Sequence, residues 1–245
     1  MKIAFISDIH SNYDALKTAA EFIKDSNAEA VYCAGDIIGY GAQPNECVDT
    51  LRGMRALCVR GNHEDYLLGE KDFNGVNRNA REAISWHRDT VTEKNMKYIK
   101  GLKYSEVIKE HSIKIVHGSP FYPENFNYVM SRREVIEAFL SFEEQICLIG
   151  HTHIPAAFRF NEDSGLYQYR FGSKVHVEKG FRYIINIGSV GQPRDGMPQA
   201  GVCLYDSDSG IFAEKRLDYD IHSAQKKILD AGLPPTLAYR LAYGL

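Results

Sequence analysis

Apolar residues in this chain come in short runs that stop abruptly. Lys2–Ser7, Ala30–Ala34, Ala56–Arg60, Ile113–Val116 and Ile146–Ile149 are such runs, each closed by a polar or glycine cluster. Short continuous runs rich in Ile, Val and Phe read as strands covered on both faces. Between the early runs the period becomes helical. Ser11-Asn12-Tyr13-Asp14 has the S-x-x-D capping pattern, followed by Leu16, Ala19, Ala20 and Ile23 on one face. Ser131-Arg132-Arg133-Glu134 repeats the device ahead of Val135, Ile136, Phe139 and Leu140. Strands alternating with amphipathic helices predict a layered α/β fold.

Residues 75–101 break this rhythm. They are polar, with Ala80, Ala83, Ile84 and Trp86 at helical spacing, and predict a helical insertion between core strands. From Ala156 to Leu217 the chain turns β-rich, with turn signals at Asn161–Gly165, Gly172-Ser173 and Asp206–Gly210, so consecutive antiparallel strands are expected there. The tail from Asp220 reads as a helix, then Gly232-Leu233-Pro234-Pro235, then a short helix. No repeat or linker interrupts residues 1–245, so a single domain is the economical expectation.

Composition narrows the class. A net charge of −3 offers no global attraction to nucleic acid or to an anionic membrane, so no stable nucleic-acid binding is expected. The five cysteines (Cys33, Cys47, Cys58, Cys147, Cys203) are scattered in apolar surroundings without a CxxC pair, and read as reduced, buried thiols. The apolar N-terminus is too short for a signal peptide, and no run approaches the ~18 residues of a membrane span. A soluble cytoplasmic protein is the expectation.

The chemistry gathers where the runs stop. They end in Asp8-Ile9-His10, Gly35-Asp36, Gly61-Asn62-His63-Glu64, His117-Gly118-Ser119 and Gly150-His151-Thr152-His153, which together hold five of the nine histidines. Ligand sites in open α/β sheets form beyond the carboxyl ends of strands, so these clusters should converge. Mixed imidazole, carboxylate and amide donors suit Mn, Fe or Zn better than Ca or Mg. Asp-x-His and His-x-His place two donors on one side of extended backbone, and the adjoining glycines let backbone pass close to an ion.

In this order and spacing the five motifs resemble the calcineurin-like metallophosphoesterase superfamily. In detail, Gly35-Asp36-Ile37-Ile38-Gly39-Tyr40-Gly41, Ile187-Gly188-Ser189-Val190-Gly191-Gln192-Pro193-Arg194 and Ala231-Gly232-Leu233-Pro234 look like its bacterial and archaeal branch of predicted phosphodiesterases, related to diadenosine tetraphosphatases. The resemblance implies a four-layer αββα sandwich and a hydrolase of phosphate esters. It implies two divalent ions, Mn first and Fe, Zn or Ni as alternatives. Asp8, His10 and His153 would hold one ion, Asn62, His117 and His151 the other, and Asp36 both. Two such ions polarise phosphoryl oxygens and activate a hydroxide. His63 is then the expected general acid or transition-state stabiliser, Glu64 its orienting carboxylate, and Arg60 and Arg194 the phosphate-binding residues.

The remaining features are read plainly. His87, His111, His176 and His222 lie outside the motifs and are taken as structural, as is Trp86. Arg132-Arg133 reads as a solvated helix start, and the Tyr40, Tyr122, Phe126 and Tyr128 group either lines a base pocket or anchors loops. Protein phosphatases and the symmetric dinucleoside tetraphosphatases carry Asp-Arg-Gly after Gly-Asp; here Gly39-Tyr40-Gly41 stands instead, which argues against a phosphoprotein. The favoured expectation is hydrolysis of a phosphodiester or phosphomonoester of a small, nucleotide-like molecule. Dinucleoside polyphosphate hydrolysis and a non-catalytic interaction module stay open as alternatives, as does a homo-oligomer. No G-x-x-x-x-G-K-[ST] occurs, which removes a P-loop protein.

Overall fold

The computed structural model describes residues 1–169 and 174–245. The turn signal at Gly172-Ser173 lies outside the described residues. In the first half the strands are β1 (Lys2–Ile6), β2 (Ala30–Cys33), β3 (Leu57–Cys58), β4 (Ser105–Ile108), β5 (Ile113–Val116) and β6 (Ile146–Ile149). The second half adds β7 (Ala156–Asn161), β8 (Gly165–Tyr169), β9 (Val175–His176), β10 (Arg182–Asn186), β11 (Ala200–Asp206) and β12 (Ile211–Leu217). The helices are α1 (Tyr13–Asp25), α2 (Pro44–Gly53), α3 (Asn62–Leu68), α4 (Arg78–Thr90), α5 (Glu93–Lys100), α6 (Arg132–Phe139), α7 (Ile221–Asp230) and α8 (Pro235–Tyr239).

The strands form two sheets of order β3-β2-β1-β11-β12-β9 and β4-β5-β6-β10-β7-β8. Alternation along each strand decides what lies between them. Ile3 and Phe5 of β1 meet Ile146 and Leu148 of β6 and Tyr183 and Ile185 of β10 in a core between the sheets. The opposite face, Ala4 and Ile6, packs on Leu16, Ala19 and Ile23 of α1 and Cys47, Val48 and Leu51 of α2. On the far side Cys147, Ile149 and Ile184 pack on Val135, Ala138 and Phe139 of α6. The result is the expected αββα layering, and double-sided burial explains why these strands read as unbroken apolar runs. All five cysteines are buried and free. No helix among the described residues is long and apolar enough to cross a membrane.

Several expectations need correction. β4 was not predicted: Ser105–Ile108 is half polar, and it forms as an edge strand by pairing antiparallel with β5. The run Ala56–Arg60 yields only the two-residue β3. The β-rich region is not a simple antiparallel meander. β10 pairs parallel with β6 and antiparallel with β7, and β11 lies in the other sheet, antiparallel to β1. The N-cap of α1 is Asn12, accepting from the Ala15 N–H at 3.2 Å, and not Ser11. Ser131 does cap α6, with Glu134 completing the box. The insertion at 75–101 is the helix pair α4 and α5, and the tail is α7 and α8.

Candidate metal centre

β1, β2 and β3 run parallel in one sheet, and β5 and β6 run parallel in the other. Their carboxyl ends deliver the five motifs to one crevice where the two sheets meet. The pairing of β1 with β2 continues past the strands. The Asp8, His10 and Ser11 N–H groups donate to the carbonyls of Gly35 (3.0 Å), Asp36 (3.0 Å) and Ile37 (2.9 Å). This fixes Asp8, His10 and Asp36 against one another by backbone alone. Asp8 (φ 52°), His10 (49°), Asp36 (52°), His151 (67°) and His153 (59°) all hold the left-handed conformation. Non-glycine residues pay on the order of 1–3 kcal/mol each for such backbone, and a cluster of them marks a site whose geometry the fold imposes.

The donor atoms fall into two groups that share Asp36. Asp8, His10, Asp36 and His153 form one; Asp36, His117 and His151 form the other. His10 Nε2 stands 3.1 Å from His153 Nε2 and 3.6 Å from Asp36 Oδ2. His153 Nε2 stands 3.2 Å from Asp8 Oδ1. In the second group His117 Nε2 is 3.2 Å from Asp36 Oδ2 and 3.1 Å from both Asn62 Oδ1 and His151 Nδ1.

The far side of each ring decides what these contacts mean. His10 Nδ1 lies 3.0 Å from the Ile38 carbonyl, His117 Nδ1 2.8 Å from that of Ala34, and His153 Nδ1 2.6 Å from that of Gln192. A carbonyl only accepts, so each Nδ1 carries the proton and each Nε2 is turned inward, with a bare lone pair in His10 and His153, whose rings are neutral. Lone pairs of His10 and His153 facing at 3.1 Å repel unless a cation sits between them. Asp8 Oδ1, fully buried, likewise has no hydrogen-bond partner. The donor set therefore fits a divalent ion in each group.

Electrostatics within the protein alone agree. Burial works against ionising Asp8, but His153 outweighs it and holds the carboxyl below its ordinary range. Asp36 is held down in the same way, by His117 and His63. Burial lowers His10, His151 and His153. His117 is the exception: burial pulls it down, yet Asp36 and Asp8 prevail and raise it to about 9. A proton there does the work a cation would do. Ligation needs the neutral ring, so ion binding at pH 7 should expel about one proton from His117. The sign is fixed: affinity rises with pH up to about 9, and release fades above it. Calorimetry of Mn binding in buffers of different ionisation enthalpy checks this, and no release at pH 7 would refute it.

The structure brings Asp8, His10, Asp36, Asn62, His117, His151 and His153 together with His63. Arg194 stands at the margin, its guanidinium on Gln192 Oε1 at 2.9 Å and Tyr40 Oη at 3.5 Å. Two expectations are overturned. Glu64 does not orient His63; its carboxylate accepts the N–H groups of Asp36, Ile37, Ile38 and Gly61 at 2.7–3.1 Å. It stitches the Asp36 loop to the start of α3. Arg60 does not face the crevice. Its guanidinium bonds Asp65 (3.2 Å), the Lys100 carbonyl (2.7 Å) and Tyr104 Oη (3.4 Å), and it lies over the Tyr104 ring. Arg60→Ala is expected to cost up to about 3–5 kcal/mol of stability, because it leaves the buried Asp65 carboxylate with only the Tyr104 hydroxyl as its side-chain partner. Substrate KM should stay within about twofold; denaturant melts and steady-state kinetics test both halves.

Other contributors were assigned no role from the sequence. Ser189 Oγ donates to the Asp8 carbonyl (2.7 Å), and Asn186 holds the Gly150 carbonyl (2.7 Å) and Thr152 Oγ1 (2.9 Å). Thus the stretch 186–192 works as scaffold for Asp8 and His153. Beside the donor groups opens a cavity of about 340 Å³ whose walls include Tyr40, His63, Tyr66, Lys71, Phe126 and Tyr128. Tyr128 stacks on His151 with ring centroids 4.1 Å apart. Tyr122 is exposed and takes no part in this wall, whereas Trp86 packs against the core of α4, α7 and α8.

The model of the calcineurin-like phosphoesterase superfamily domain matches residues 1–210. An uncharacterized protein of Methanocaldococcus jannaschii is 36% identical over 244 residues, spanning 99% of this chain and 98% of its own. A metallophosphoesterase of Sphaerobacter thermophilus, known as a crystal structure, superposes with a TM-score of 0.85 at 33% identity, over 100% of this chain and 99% of that one. A hypothetical protein of Pyrococcus horikoshii OT3 shares the fold, with a TM-score of 0.78 at 17% identity over 100% and 98% of the two chains.

Proposed function

The chain belongs to the calcineurin-like phosphoesterase superfamily, a metal-dependent hydrolase of phosphate esters, and from that membership we propose a two-ion enzyme acting on a small, nucleotide-like phosphodiester or phosphomonoester. One observation carries the two-ion reading. Two groups of inward-facing donors share a single buried carboxylate, Asp36. Asp8, His10 and His153 would hold one ion, Asn62, His117 and His151 the other, and Asp36 both. When bound, such a pair neutralises phosphoryl oxygens and lowers the pKa of a water in line with the scissile bond. Mn suits the mixed nitrogen and oxygen donors, with Fe, Zn and Ni as chemical alternatives.

The chain's own residues supply the rest. His63 packs beside the rings of His10 (4.7 Å) and Tyr40 (4.6 Å) and lines the cavity, where its imidazole N–H would donate to a phosphoryl or leaving oxygen. Arg194 would add a fixed positive charge at the margin. The aromatic walls and the Lys71 ammonium suit a leaving group with a flat ring and further negative charge, and a cavity of about 340 Å³ admits a nucleoside-sized group.

The test is direct. The purified protein is stripped with a chelator, reloaded with Mn, Fe, Zn or Ni, and assayed on monoesters, aryl diesters, cyclic nucleotides and dinucleoside polyphosphates. Two ions per chain and metal-dependent hydrolysis are the expected result, together with a raised melting temperature on reloading. A single ion per chain, or no hydrolysis of any ester by the loaded protein, would sink the reading.

A further inference from the structure

His87 sits on α4, within the helical insertion and outside every motif, yet it is fully buried. Its ring is not idle packing. Nδ1 accepts the Gly39 N–H at 3.2 Å, so Nε2 carries the proton, and it lies 2.8 Å from the Gly41 carbonyl. Burial pushes this imidazole down to about 4, which keeps it neutral at pH 7 with one donor and one acceptor. The two bonds straddle a single residue, Tyr40.

The loop is pinned from its other side as well. The Gly41 N–H donates to the His10 carbonyl at 3.0 Å. Gly39 has φ +103°, and any Cβ there would strike the His63 ring. Tyr40, itself left-handed at φ 55°, lays its ring 4.6 Å from both His10 and His63. Its hydroxyl lies 3.5 Å from the Arg194 guanidinium, which stands 5.8 Å from the ring centroid. A chain of contacts therefore runs from α4 through Gly39 and Gly41 to Tyr40, and from Tyr40 to His63 and Arg194.

We propose that His87 is a positioning residue: by clamping Gly39 and Gly41 it sets Tyr40, and through it Arg194 and His63, against the phosphoryl group. This rests on the phosphoesterase reading above, and it gives the helical insertion a part in the chemistry. The alternative is a purely structural histidine, whose loss would lower stability and leave the folded protein's handling of phosphate intact.

The decisive variants are His87→Leu, which fills space without hydrogen bonds, and His87→Gln, whose amide offers the same acceptor and donor. Each is loaded with Mn and compared with the wild type in ion content, melting temperature, orthophosphate affinity by calorimetry, and kcat and KM on an aryl diester. His87→Leu should keep its ions and lose on the order of 10–100-fold in kcat, with weaker orthophosphate binding. His87→Gln should return both to within about threefold. A folded His87→Leu protein with unchanged orthophosphate affinity and kcat overturns the proposal. So does a loss of kcat in both variants that merely tracks their melting temperatures.

Should His87→Leu fail to fold, the wild type still decides. In histidine labelled with ¹⁵N, His87 must show a bare Nδ1 and a protonated Nε2; the reverse tautomer contradicts the clamp. A wild type that hydrolyses no ester would defeat the functional reading instead, while orthophosphate affinity would still report on His87.

Discussion

Replacing His63 with alanine should lower kcat by about 10²–10⁴-fold while ion content stays at the wild-type level. The two halves of this expectation have separate causes. His63 is no member of either donor group; its Nε2 lies 4.0 Å from Asp36 Oδ2, at the edge of the cluster. Removing it leaves every inward lone pair in place. The residue is 3% exposed and lines the cavity, where a substrate would reach it. Burial holds the ring down at about 4 against the pull of Asp36, with Arg194 and neighbouring imidazoles acting in the same sense as burial. Before substrate arrives the ring is therefore neutral at pH 7, and it enters as an N–H donor. Metal analysis by plasma mass spectrometry and steady-state kinetics on one diester are sufficient. Full kcat in His63→Ala would remove it from the chemistry, and loss of an ion would make it a ligand.

The second large effect belongs to Asp36. Asp36→Asn should cost both ions affinity at once, by more than the roughly 10–100-fold that losing an outer partner of a ligand costs. Its Oδ2 serves both donor groups, at 3.6 Å from His10 Nε2 and 3.2 Å from His117 Nε2, and its Oδ1 accepts the His63 backbone N–H at 3.0 Å. Asparagine keeps the shape and the bond to His63 but removes the charge. The same change should let His117 fall from about 9 toward neutrality, since Asp36 is the main force raising it against burial. The variant then neither binds ions strongly nor releases a proton at pH 7 when given them. Retention of two ions per chain at wild-type affinity would show that Asp36 is not shared.

That these two residues would meet in one crevice was legible without a structure, and the reason is physical. Asp36 and His63 follow apolar runs that burial on both faces makes conspicuous, and a carboxylate or imidazole at a buried strand end is chemically conspicuous too. The same holds for Asp8, His10, His117, His151 and His153. Arg60 was misread because a cation beside Gly-Asn-His is equally consistent with two directions. Its direction is set by Asp65, Tyr104 and the Lys100 carbonyl, groups brought close only by packing. Glu64 was misread for a related cause. A carboxylate next to a histidine suggests a pair, but four converging N–H groups of the Asp36 loop and Gly61 offered a better match.

The β-rich half shows a similar division. Its strands and two hairpin turns could be placed from Asn161–Gly165 and Asp206–Gly210. That β10 would run parallel beside β6, and β11 cross to lie beside β1, depends on which sheet edge each strand covers. Local pattern carries no information on that choice.

By itself, then, the sequence determined the layered strands and helices, the donor residues at the strand ends and the class of chemistry they support. These follow from local hydrophobic period and side-chain type. Tertiary structure alone decided which way each inward ring points, through carbonyls of Ala34, Ile38 and Gln192 that lie far away in the chain. It also turned Arg60 away from the crevice and made His87 the clamp on the Tyr40 loop. Hydrogen bonds and ion pairs are satisfied by whatever partner the fold brings within reach, and that partner is fixed only when the layers close.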